Sequence, residues 1–226
     1  IDVGAVRGPP PKRSRAAFCE VEIELEAGDP LRLFELALAL LGDLPLVVEP
    51  RSKAERGRAL ATGIAPRPAL AQDVLLPDGS DAAGAIAAIV RNCLRQVEAN
   101  ADGLLADDDP EWIHQMRVGV RRLRSCLALA RRHVPPAVLG HLDGDLRWLA
   151  GTLGPARDLD VFTTETLPAM REATRRASGG AAAFEHALAP LEDHAHTQLA
   201  VARRDARDAV ASKRFNRLLL AGGAFA

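Results

Sequence analysis

Leu139, Leu142, Leu146, Leu149 and Leu153 recur at intervals of three and four, which lines them along one face of a helix. The same period runs through six stretches, 81–103, 110–133, 136–154, 158–176, 181–211 and 212–222, and no strand pattern appears after Asp81. Only punctuation parts them: "DDDP", "PP", "GPARD", "SGG" and a serine, Ser212, that can cap. Connections this short make consecutive helices antiparallel neighbours. The expected fold is mainly α, an antiparallel helical bundle over 81–226.

The first sixty residues read differently, as a small α+β segment. In "AFCEVEIELEAG", Phe18, Glu20, Glu22 and Glu24 alternate with Cys19, Val21, Ile23 and Leu25, the period of a half-buried strand. "GDPLRLFELALALLG" follows as a helix, with Asp29 as cap, Pro30 at the first helical position and Gly42 as the stop. "PLVVEPRSKAERGRALA" reads as a short extended piece and then a basic turn or helix. Residues 61–80, rich in proline and turn residues, are the expected linker.

Several function classes are excluded on composition. No apolar run approaches bilayer length, so no membrane partner is expected, and "IDVGAVRGPP" lacks the shape of a secretory leader. Cys19, Cys93 and Cys126 lie far apart, as reduced thiols in a cytoplasm do. Aromatic residues make up 4% of the chain and none is tyrosine, which disfavours a nucleic-acid partner gripped by stacking.

Against a formal net charge of -1, the segment "HQMRVGVRRLRSCLALARR" (114–132) holds six arginines and no acid. At about 100° per residue, His114, Arg117, Arg121 and Arg124 fall within an arc of roughly 80°, and Arg132 rejoins it two turns later. Ile113, Met116, Val120, Leu123 and Leu127 fill the neighbouring arc, with Val118 and Leu129 on the other edge, while Arg122 and Gln115 point elsewhere. A solvated face would mix signs and lie opposite the core. Like charges placed together repel unless an anion sits there, and the guanidinium gives paired donors suited to phosphate. The competing account is a solvated face paired with acids from adjacent helices. His114 can donate to a phosphate oxygen, or bond to a backbone carbonyl in the core.

A second basic cluster holds Arg203, Arg204, Arg207, Lys213, Arg214 and Arg217. Asp208 four residues on accounts for Arg204, while Arg214 and Arg217, beside apolar Phe215 and Leu218, are candidates for a second wall. In "ARDLD", Asp158 either caps a helix or orients arginines. His194 and His196 stand two apart on a helix, so they point in different directions and make a poor metal pair.

"HQMRVGVRRLRS" followed by "LRWLAGTLGPARDLDVF" resembles the CHAD family, the conserved-histidine α-helical domains, over about Val74 to the end. Family members are helical bundles of two similar halves around a basic channel, known for binding inorganic polyphosphate. The resemblance implies His114, Arg117, Arg121, Arg124 and Arg157 as polyphosphate ligands. With a single H-x-x-R helix of this kind, 81–226 corresponds to the first half of such a domain, and an oligomer would complete the channel. No cofactor is required for such binding, and the implied setting is a bacterial cytoplasm, in association with polyphosphate granules.

"CEVEIELEAGDPLRLFELALAL" and "EPRSKAERG" resemble the end of a CYTH domain, the triphosphate tunnel fold, over 1–60. That resemblance implies Glu20, Glu22 and Glu24 as ligands of Mg or Mn, and Lys53 and Arg56 as triphosphate ligands. The opening E-x-E-x-K strand of that family is absent. Polyphosphate binding is therefore the leading expectation, and metal-dependent triphosphate hydrolysis the alternative.

Overall fold

The computed structural model describes residues 1–7, 15–64, 66–76, 78–132, 134, 136–176 and 181–226. Helices start where the chain supplies acceptors for unpaired backbone N–H groups. Asp81 accepts from Gly84 N at 2.7 Å to open α3 (Ala82–Ala106), and Asp109 accepts from Glu111 N at 2.9 Å ahead of Pro110 to open α4 (Pro110–Ala130). Ser212 accepts from Phe215 N at 3.2 Å to open α8 (Lys213–Phe225), after α7 (Ala181–Ala211).

These helices pack through one continuous apolar core. Val90, Cys93 and Val97 of α3 meet Ile113, Met116, Val120 and Leu123 of α4, all buried. The five leucines 139 to 153 are buried on α5 (Pro136–Val161), and α7 and α8 close the core with Ala206, Val210, Phe215 and Leu218. Two glycines let α3 and α4 approach. A Cβ on Gly119 would lie 2.9 Å from Val97 Cγ2, and one on Gly103 would overlap the buried indole of Trp112. The indole is fixed in turn by its Nε1 donating to Asp107 at 2.6 Å.

The expected break at "GPARD" is corrected. Helix α5 runs through Gly154 and Pro155 to Val161, continues as a π turn (Phe162–Thr166), and passes into α6 (Leu167–Arg176). A proline inside a helix strands the carbonyl four residues back and crowds it. Here that residue is Gly151, exposed and with open space around it, so the ring is accommodated and water can reach the carbonyl. Asp158 therefore sits mid-helix and caps nothing.

The first strand assignment is also corrected. The sheet has two antiparallel strands, β1 (Asp2–Arg7) and β2 (Arg15–Glu20), with Asp2 opposite Glu20. The last pair of the ladder is Asp2 with Glu20, and residues 21–25 form no strand. The covered face is Phe18 and Glu20, under α2 (Lys53–Thr62), and Cys19 is exposed. The helix at 29–42 is α1 (Leu31–Asp43), with Asp29 accepting from Leu31 N at 2.9 Å.

The N-terminal segment and the stretch after it are tied to the bundle at several points. Helix α1 packs on α8, and Val48 N donates to the buried Asn216 Oδ1 at 2.7 Å. Further on, Asn100 exchanges two hydrogen bonds with the backbone of Ala69, at 2.9 and 3.0 Å, and Arg122 donates to Gln72 O at 3.2 Å. The stretch 66–76 thus runs as a strap pinned to α3 and α4.

Candidate functional site

Helix α4 buries its apolar arc in the core, which turns the adjoining basic arc toward α5. Between them is a cavity of about 350 Å3 lined by His114, Arg117, Arg121, Arg124 and Arg157, with no acidic residue in its wall. Four of those side chains come from successive turns of α4, and Arg157 faces them from α5 because that helix continues past Pro155.

The cations are held to different degrees. Arg117 donates to Ala150 O of α5 at 3.1 Å, and Gly154 makes room, since a Cβ there would stand 3.1 Å from Arg117 Nη1. Arg157 has Glu165 at 3.7 Å, an exposed carboxylate on the π turn. Arg124 has Asp143 at 3.5 Å. Among the described residues, neither His114 nor Arg121 has a hydrogen bond or ion pair. The hollow therefore mixes arginines tethered to neighbouring groups with two side chains, His114 and Arg121, that have no partner among the described residues, an arrangement that suits an anion with several oxygens.

Other candidates lie elsewhere. Arg132 is exposed past the end of α4, and its neighbour Arg131 is the one turned toward α5. Arg214 bonds Asp145 at 2.7 Å and stacks on Trp148, 4.3 Å from the ring centre, and Arg217 is exposed; neither lines the cavity. In the C-terminal basic cluster the pairs are Arg203 with Asp160 at 2.7 Å and Arg207 with Asp108 at 2.6 Å. Arg122 turns away from the hollow, as its place on the wheel requires, and donates to Gln96 Oε1 at 2.9 Å and Asn92 Oδ1 at 3.0 Å. Arg131 and Arg147, both on Asp143, and Gly154 were not singled out from sequence. Their role depends on how α4 and α5 face each other, which no single-helix pattern encodes.

At the N-terminus, Asp2, Glu20 and Glu22 converge within 4.8 Å of one another, and Glu24 stays apart. The Lys53 ammonium sits among the three, at 2.5, 3.0 and 2.9 Å, and Arg56 pairs with Glu20. Arg56 beside Glu20 holds that carboxyl below the usual range, and the hydrogen bond that Lys53 donates to Asp2 leads those that push the Lys53 ammonium well above its own. Lys53 thus holds the space a divalent cation would take, so these residues as arranged do not fit a metal.

Among the described residues no helix is long and apolar enough to cross a membrane. Residues 88–226 match the family model of the CHAD domain. The chain is similar to a solved structure, the CHAD domain from the plant Ricinus communis, at 36% identity and a TM-score of 0.57 over 71% of this chain and 50% of that one. It thus spans about half the length of that solved chain. No curated protein matches it.

Proposed function

The chain belongs to the CHAD family, and we propose that the groove between α4 and α5 binds inorganic polyphosphate or a similar linear polyanion. The observation that carries this reading is the cavity wall of four arginines and a histidine without an acid, in which Arg121 and His114 lack any partner among the described residues. A linear polyanion presents charge at each unit, so successive arginines gain from avidity and from release of counterions together. Arg117, tethered to Ala150 O, loses less freedom on binding than a free side chain would. The wall contains no aromatic ring on which a base could stack, which favours a phosphate chain over a nucleic acid. No cofactor or covalent step is needed.

The test is a calorimetric titration with long-chain polyphosphate and with orthophosphate, and with duplex DNA as competitor. Long chains should bind far more tightly than orthophosphate, and DNA should compete poorly. Equal affinity for long and short chains would count against a groove. Metal-dependent triphosphate hydrolysis by the first sixty residues gains no support from the convergence of Asp2, Glu20 and Glu22, because Lys53 fills the space between them. Phosphate release with Mg or Mn that is lost in Glu22→Gln would overturn that conclusion.

A further inference from the structure

The groove does not end at Arg124. That side chain also lines a second cavity of about 360 Å3, with Leu127, Arg131, Leu139 and Asp143, so two hollows adjoin along the α4–α5 seam. The first has no acid in its wall, and the second has one. Asp143, on α5, accepts from Arg147 at 2.7 Å and reaches Arg124 Nε and Arg131 Nη2 at 3.5 Å each. Its side chain is 19% exposed, whereas the three arginines are 41%, 63% and 62% exposed. One carboxylate thus answers three guanidiniums, and two of its contacts lie at the outer limit of a hydrogen bond. The three open cations are under-neutralised, and the acid that holds them sits beneath.

We propose that Arg124, Arg131 and Arg147 form a second phosphate subsite, and that Asp143 is its built-in counter-ion, displaced by a polyanion long enough to leave the first hollow. This rests on the polyphosphate reading of that hollow. A chain confined to the first hollow meets only Arg124 of this set and leaves Asp143 undisturbed. A longer chain gains Arg131 and Arg147 while bringing its charge against Asp143, well within the screening distance of about 8–10 Å at ordinary salt. Asp143 therefore sets a length threshold, weakening the second subsite more than the first, which it meets only through Arg124.

Asp143→Asn keeps the shape and removes the charge. Long-chain polyphosphate should bind about three- to fivefold more tightly to it, the scale of one or two exposed ion pairs, with tripolyphosphate changed less than about twofold. Adding Arg131→Ala to that variant should return long-chain affinity toward the wild-type value. Arg131→Ala and Arg147→Ala alone, both at exposed positions, should weaken long-chain binding and spare tripolyphosphate. Unchanged or weaker long-chain binding in Asp143→Asn would overturn the inference, because Asp143 would then be holding Arg124 in place. An equal gain for both ligands would also overturn it, as a bulk charge effect. Should wild-type affinity still drop in Arg121→Ala, the polyphosphate reading survives either result, whereas a wild-type protein that binds no polyphosphate sinks both.

Discussion

Arg121→Ala is the sharpest single perturbation of the groove. The side chain is exposed, lines the first hollow and has no ion pair or hydrogen bond among the described residues, so its removal leaves no buried partner stranded. Folded stability should change by no more than about 0.5 kcal/mol, as for other surface sites. Binding should lose about 1.5 kcal/mol, the low end of the charge-assisted range because the site is wet, which is roughly tenfold in affinity. The slope of log affinity against log salt should become shallower by about 0.7, one phosphate contact fewer. Arg122, one residue away, is the natural comparison, yet the structure shows it is not an inert one. Its three bonds to Gln96, Asn92 and Gln72 O tie α4 to α3 and to the strap. Arg122→Ala should cost about 1–3 kcal/mol of stability by stranding buried acceptors, with little change in affinity once the protein is folded. Arg32→Ala on α1, whose side chain pairs with Glu35 alone among the described residues, supplies the charge-matched control without that cost. Titration calorimetry at several salt concentrations, with thermal melts alongside, reads all three. Equal affinity losses at Arg121 and Arg32 would show binding through overall charge, and the groove argument would fail.

Gly103→Ala should destabilise the bundle by about 1–3 kcal/mol despite alanine's better helix propensity, because the new Cβ overlaps an indole that is buried and anchored on Asp107; a denaturant melt checks it. On α6, Arg171 bonds Glu185 at 3.1 Å and Glu192 of α7 at 2.5 Å, and it holds the Glu192 carboxyl below the usual range. A lowered folded-state pKa contributes stability that is present above the ordinary glutamate pKa and lost as pH falls through the lowered one. Arg171→Ala should therefore flatten the acid limb of a stability–pH profile, and an unchanged limb would refute this.

The bundle was legible where both faces of a helix carry a pattern. Helix α7 occupies the expected residues, and α4 could be turned on its axis from sequence because apolar and basic arcs adjoin. Proline was the unreliable sign. Pro155 and Pro190 both lie inside helices, yet only the first, set in a "GPARD" turn signature, reads as a stop. What decides is the space around the stranded carbonyl, a tertiary fact. At the N-terminus the alternation in "EVEIELE" is real, but a strand needs a partner. Lys53 and Arg56 draw Glu20 alone inward, while Glu22 and Glu24 stay exposed beyond the last strand pair. The side chains that share one arc of α4 could be grouped by a wheel. Asp143, Arg147 and Gly154 could not, since they matter only through the seam between two helices.

That seam depends on how α5 is rotated, and one polar pair bears on it. Asp160 is buried, and its carboxylate meets Arg203 of α7 at 2.7 Å, while Asp160 Oδ2 and Arg203 Nε have no partner among the described residues. Burial pushes the Asp160 carboxyl up in spite of Arg203 beside it, so pairing does not fully offset the loss of water. Such a pair adds little net stability, and its effect is to make other settings of the helix worse. Arg157 lies three residues earlier, under a full turn, on the adjoining face of α5. Any rotation that exposed Asp160 would break its contact with α7 and swing Arg157 away from Arg117 and Arg121. The second acid of "ARDLD", Asp160, is thus the fixed point from which Arg157 is aimed.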